Sequence, residues 1–170
     1  MNMTHTDNRI LESLTLLSNI LHKENPNDFY YLRSGIFLQN AQAWKFELRK
    51  KRYDSAIIED EMSDIYIIHI KDTDNITAKH NFTNLEIQDL HKSIDIPKDT
   101  LRKNDNILSA QLVLAVAASS RRISTWNFTY KCANEDIPVI LFDFRVDKDK
   151  NELVSSELTY PIPINPSKEE

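Results

Sequence analysis

Two ionisable side chains bracket a strand, a tight turn and a second strand in "SDIYIIHIKDTDNITAKHN", residues 63 to 81. Asp64 stands at the start of this stretch and Lys79 near its end, with Glu61 a further acid just upstream. A carboxylate and an ammonium so placed are residue types of a metal-dependent hydrolytic centre, where oxygen ligands hold a hard divalent cation that activates water. The same types also mark the solvated ends of a hairpin, because charged side chains stay where a strand meets water.

The spacing resembles that of the restriction-endonuclease-like group, named for its PD-(D/E)XK motif, over residues 61 to 79. The resemblance implies magnesium held at Asp64, with Glu61 as a further acid, Lys79 positioning the attacking water, and nucleic acid as substrate. Thr77 stands where the second acid of that motif belongs, and the other lysine of the stretch, Lys71, follows "HI" and brings no acid with it. Under this reading Glu59, Glu61 or Asp143 has to supply the missing ligand. The departure at Thr77 ranks catalysis below binding.

Cations are concentrated in "KFELRKKRY", where Lys45, Arg49, Lys50, Lys51 and Arg52 are candidate anion-binding residues, and again at Arg121 and Arg122. Lysine and arginine at such density neutralise phosphates. They also suit the C-terminus of a helix, whose carbonyls favour positive charge. Convergence of the two basic segments in space would favour an anionic partner.

Other groups point less far. His5, His22, His69, His80 and His91 show neither H-x3-H nor H-E-x-x-H spacing, so no histidine metal site is expected. Cys132, the only cysteine, alternates with Trp126, Phe128 and Tyr130, a period-two pattern that buries one face of a strand and makes the thiol a packing group. A lone cysteine also excludes an internal disulfide and a thiolate zinc cluster. Asp143 and Arg145, two residues apart, share one strand face and are expected to serve as a structural ion pair or strand-end feature.

The elements that must position these residues follow from composition and period. The chain has 170 residues, 41% hydrophobic and 28% charged, with net charge −5 and pI near 5.6, as expected of one globular domain without a nucleic-acid-coating surface. Gly35 is the only glycine, which excludes the glycine-rich phosphate loops of dinucleotide and nucleotide triphosphate sites. Asn, Asp and Pro must make the turns, as in "KENPND", "KDTDN" and "DKDKNE". Neither a secretory leader nor an apolar run of the roughly 20 residues needed to span a bilayer is apparent, so no membrane is expected and the cytoplasm is the expected location. The glycosylation acceptor pattern at Asn75, Asn81 and Asn127 is then a chance match.

Asp7 can cap a helix carrying Ile10, Leu14, Leu17 and Leu21 on one face. Asp28 can cap a second with Phe37, Ala41, Trp44 and Leu48. Three strands of a meander follow, at 55 to 60, 65 to 71 and 76 to 81, then a short helix begun by the capping-box pair Thr83 and Glu86 and closed before Pro97. Residues 106 to 123, apolar on nearly every side, predict a central helix. "WNFTYKC", "PVILFDFRV" and "ELVSSELTYPIPI" predict C-terminal strands, the second inside the sheet and the third at its edge. The resulting expectation is an α+β fold with a mixed, mostly antiparallel sheet packed against helices and an N-terminal helical pair, one domain over 1–164 with a polar tail at 165–170. The expected function is a non-catalytic protein-binding module, such as an inhibitor, an immunity factor or an accessory subunit, acting through an acidic surface or a sheet edge. Another protein is the expected partner, self-association through an edge is compatible with it, and no cofactor is required.

Overall fold

The computed structural model of the chain describes residues 4–51, 63–76, 82–87, 90–119 and 123–159. About half of these lie in strands: β1 (Thr4–Thr6), β2 (Phe29–Leu38), β3 (Ala43–Lys51), β4 (Asp64–His69), β5 (Leu85–Glu86), β6 (Ser109–Ser119), β7 (Ser124–Ala133), β8 (Ile140–Asp147) and β9 (Glu152–Thr159). The helices are α1 (Ile10–Glu24), α2 (Leu90–Ser93) and α3 (Asp95–Arg102). All strands join one sheet in the order β4-β3-β2-β6-β7-β8-β9, with β1 pairing β6 and β5 pairing β2 off that path. The long strands are antiparallel to their neighbours, and only the two short additions are parallel.

The N-terminal helical pair is therefore corrected. α1 forms as its spacing predicts, with Ile10, Leu14, Leu17 and Leu21 all buried. The second helix is instead the β2–β3 hairpin. In "AWKFELRKK", Trp44, Phe46 and Leu48 are fully buried on one face while Lys45, Glu47 and Arg49 alternate on the other, the period of two that a half-buried strand requires. No glycine marks the turn between them; Gln42 takes positive φ, at 48°, and Gln39 closes it by hydrogen bonds.

The central helix expected over 106–123 is likewise a strand, β6. Its alanines are small because their cross-strand partners are large: Ala115 faces Phe128 and Ala117 faces Trp126. A bulge between Leu112 and Leu114 hides the alternation in the sequence. Further along, Thr83 and Glu86 do not start a helix, since Leu85–Glu86 is β5, and Pro97 lies within the first turn of α3, where its missing N–H costs little. The strand at 64–69 forms against β3; the expected strand at 55–60 and all of the one at 76–81 except Ile76 fall outside the described residues. β7, β8 and β9 follow the reading of the C-terminal third, with β8 inside the sheet and β9 at its edge.

One face of the sheet holds the core. Trp44, Phe46, Leu48, Trp126, Phe128, Tyr130 and Phe144 converge there under α1 and the α2–α3 segment. Gly35 sits among them because Phe46 and Trp44 occupy the space a side chain would need. Asn8, at positive φ, ties three parts together: its Nδ2 donates to Leu112 O at 2.6 Å, and its own carbonyl accepts from Trp44 Nε1 at 2.8 Å. The opposite face carries no buried residue near mid-strand in β2, β3 or β6, and no described element covers it.

The sheet is narrowest in its middle. β2 and β6 share only the pairs Ser34–Val116, Gly35–Ala115 and Ile36–Leu114. Beyond these the two strands part. β1 then occupies the edge of β6 at Ser109–Gln111, and β5 occupies the edge of β2 at Tyr30–Tyr31. Each short strand satisfies backbone groups that the splayed neighbours leave open.

Candidate functional site

Asp64, the first residue of β4, is exposed and lies opposite Leu48 of β3. Glu59, Glu61 and Lys79, the side chains expected to share a cation with it, fall outside the described residues, as does His80. Asp143 is on the open face of β8, where it accepts a hydrogen bond from Thr129 Oγ1 at 2.6 Å, and exposed Arg145 lies one pleat along. Among the described residues no group of three or more His, Cys, Asp or Glu side chains is placed to hold a metal ion.

Of the candidate anion-binding residues, Lys45 and Arg49 share the open face of β3, whereas Lys50 turns the other way and reaches Asp28 at 2.9 Å. Arg52, Arg121 and Arg122 lie outside the described residues. The strand aromatics are core. Tyr130 meets Phe144 edge-on at 5.7 Å, and burial raises its hydroxyl pKa far above the usual value. Burial also pushes the Cys132 thiol up to about 11, which disfavours the thiolate a nucleophile needs.

Where β6 leaves β2, a cleft of about 270 Å³ opens beside β5. Tyr31, Leu32, Ala117 and Trp126 lie along it, with the Leu32 and Trp126 side chains themselves buried, and three cations reach it from three different elements. Arg33 comes from the bulge of β2, with its guanidinium 3.8 Å from Glu47. Arg49 comes from β3, and its Nε is buried with no hydrogen-bond partner among the described residues. Lys148 comes from the β8–β9 turn, where its backbone N–H donates to Ser124 O and its Nζ stands 4.5 Å over the Trp126 ring. Desolvation lowers the Lys148 pKa, with Asp149 and Glu86 opposing the shift. Among the described residues Glu86 is the one carboxylate on the cleft wall.

Arg49 and Trp126 stand out in the sequence, but in unconnected groups. Arg33 and Lys148 do not stand out at all, because a lysine in "DKDKN" carries no mark that separates it from a solvated turn. Only the parting of β2 and β6 brings these chains together, and that parting is written in a bulge and two short parallel strands rather than in a motif.

The molecule also presents apolar side chains to its surroundings. Every residue of β9 is exposed, and Leu153, Val154 and Leu158 are among them. No strand pairs with the outer edge of β9 among the described residues. On the open face Ile65 and Ile67 are more than half exposed, at 57% and 53%, and Ile36 lies in the same cross-strand row as Ile67, with Lys45 between them. A second, more polar cavity of about 310 Å³ is bounded by the loops at Asp105–Asn106 and Asn134–Asp136.

No protein-family model, curated protein or solved structure matches the chain. No described helix is long and apolar enough to cross a membrane.

Proposed function

We propose that the protein is a non-catalytic module that binds another polypeptide along the free edge of its sheet. The observation that carries this reading is β9: eight residues long, exposed throughout, and paired on one side only among the described residues. An unpaired edge offers a row of N–H and C=O groups to an extended chain, and edge strands that avoid such contacts usually carry lysine or proline. β9 has neither. It offers Leu153 and Leu158 on one face as side-chain contacts and Glu152 and Glu157 on the other, so a partner strand with apolar residues on one side and basic residues on the other suits it best.

The test pairs Leu153→Lys/Leu158→Lys with the wild-type chain in affinity capture from the native source. Both residues are exposed, so the double variant should keep its fold, with stability within about 0.5 kcal/mol of wild type. The expected outcome is a partner held by the wild type and lost by the variant. Equal recovery of that partner by both chains would exclude the edge. Magnesium-dependent cleavage of DNA or RNA that disappears in Asp64→Ala would replace this reading with the catalytic one.

A further inference from the structure

β9 is complementary to itself in one register. Leu153, opposite Val146, lies on the face that carries the core, and so does Leu158, opposite Phe142. The bulge between them, with Val154 as its extra residue, brings an odd and an even position to the same side. Resting on the reading of β9 as a binding edge, we infer that the strand this edge receives is β9 of a second copy of the chain, antiparallel about a two-fold axis at Ser156.

Three features argue for this. With Ser156 on the axis, Leu158 of each copy stands opposite Leu153 of the other, Glu157 opposite Ser155 and Thr159 opposite Glu152, so every residue of β9 except Val154 meets a counterpart on its own face. Moving the axis to Ser155 or to Glu157 sets Glu157 against Glu152 or against itself, and like charges directly opposed are destabilising. On the core face, Leu153 and Leu158 are 38% and 40% exposed although Val146 beside Leu153 is fully buried. The pairing covers them by running Phe142, Leu158, Leu153 of the other copy and its Val146 into one apolar row. On the open face, Asp143 and Glu157 form a cross-strand pair of like charge, and Arg145 of the same chain, one pair along, is exposed and makes no ion pair among the described residues. The dimer places Arg145 of the other copy in their row beyond Ser155, at two strand spacings or about 10 Å from Glu157, and over so small a residue the guanidinium reaches the carboxylate. The basic group that the acidic face of β9 calls for is thus supplied by the chain itself.

Sedimentation equilibrium of the full chain tests the pairing. One strand ladder buries less than a standard interface of roughly 1,600 Å², so a monomer–dimer equilibrium in the micromolar range is expected. Leu153→Lys/Leu158→Lys should abolish it, and Arg145→Glu should weaken it about tenfold, because two exposed ion pairs become repulsions. Adding Glu157→Arg to Arg145→Glu should restore it. Oxidation reads the register. Ser156→Cys should give a disulfide-linked dimer, since directly opposed residues have Cα atoms about 4.5–5.5 Å apart, within disulfide range. Thr159→Cys, whose counterpart across the axis is about 20 Å away along the strand, should give none. Cys132 is buried and present in both variants, so it does not distinguish them. A chain that stays monomeric up to about 1 mM overturns the inference and leaves the edge to a different polypeptide. A dimer that survives Leu153→Lys/Leu158→Lys, or that cross-links in Thr159→Cys but not in Ser156→Cys, overturns it as well. Failure of the edge reading itself shows differently, as a captured partner held equally by the wild type and the double leucine variant.

Discussion

A methyl group placed on Gly35 would meet Phe46 Cδ1 and Cε1 at 3.0 Å and Trp44 Cε3 at 3.4 Å. Both rings are fully buried, and they stack on each other at 5.9 Å, so neither can move without disturbing the other. Gly35→Ala should therefore cost about 1–3 kcal/mol, read as a lower urea midpoint at unchanged slope. The reason for the glycine is space, since its φ is not positive. His5 illustrates a different residue-scale effect. Its Nε2 is buried without a hydrogen-bond partner, its ring lies 5.6 Å from that of Tyr130, and burial, followed by Lys98, lowers its pKa below 6.5, with Asp7 opposing and Arg102 adding to the decrease. The unfolded chain then takes up the proton first on acidification. Stability should fall as pH drops below about 6.5 toward the lower folded value, and rise with pH through the same window. Thermal melts between pH 5 and 8 measure this, and His5→Phe should flatten the slope. An unchanged slope in the variant would place the proton elsewhere. Glu47 acts in a separate, more acidic window, because a hydrogen bond from Ser63, followed by opposing burial and then Arg33, Ser34 and Arg49, brings its carboxyl below 4.5.

At the scale of elements, legibility follows the period of the apolar residues. α1 is readable because its four apolar positions admit only a helix, and β7 because Trp126, Phe128, Tyr130 and Cys132 alternate without interruption. The β2–β3 hairpin misleads because Phe37, Ala41, Trp44 and Leu48 satisfy helical spacing by coincidence, while the alternation of Trp44, Phe46 and Leu48 is equally present. What decides between them is tertiary: β3 pairs on both sides, and Trp44 finds a hydrogen-bond acceptor in Asn8, far away in sequence. β6 misleads for a related reason. Alanine favours helices in isolation, but here it supplies the small side of large–small pairs with Phe128 and Trp126. The candidate site is less legible still, because Arg33, Arg49, Trp126 and Lys148 come from four elements and share no local pattern.

For the whole molecule the decisive feature is the join between β2 and β6. In the backbone ladder only three residue pairs connect two groups of strands: β2, β3, β4 and β5 on one side, and β1, β6, β7, β8 and β9 on the other. Within each group the ladders are longer; β7, for example, pairs with β6 from Ser109–Ala133 to Ser119–Ser124 apart from a bulge. Fraying of the ladder at the join breaks few hydrogen bonds and leaves the shared core under α1 in place, so the backbone there should open more readily than within either group. Native-state hydrogen exchange checks this. Amides of Ser34–Ile36 and Leu114–Val116 that face across the join should exchange through openings of lower free energy than those of β7, and a single common value would mean that the sheet opens as one unit.

The parallel pairing of β1 with β6 has a temporal consequence. Thr4 meets Ser109 and Thr6 meets Gln111, so this segment has its partner made more than a hundred residues after it in translation. Asn8 is in the same position, since the carbonyl it donates to belongs to Leu112. The β2–β3–β4 sheet can assemble as it leaves the ribosome, but the N-terminal strand has no groove to enter until β6 has emerged. Until then it remains available to chaperones, and its docking becomes a late step in the maturation of the chain.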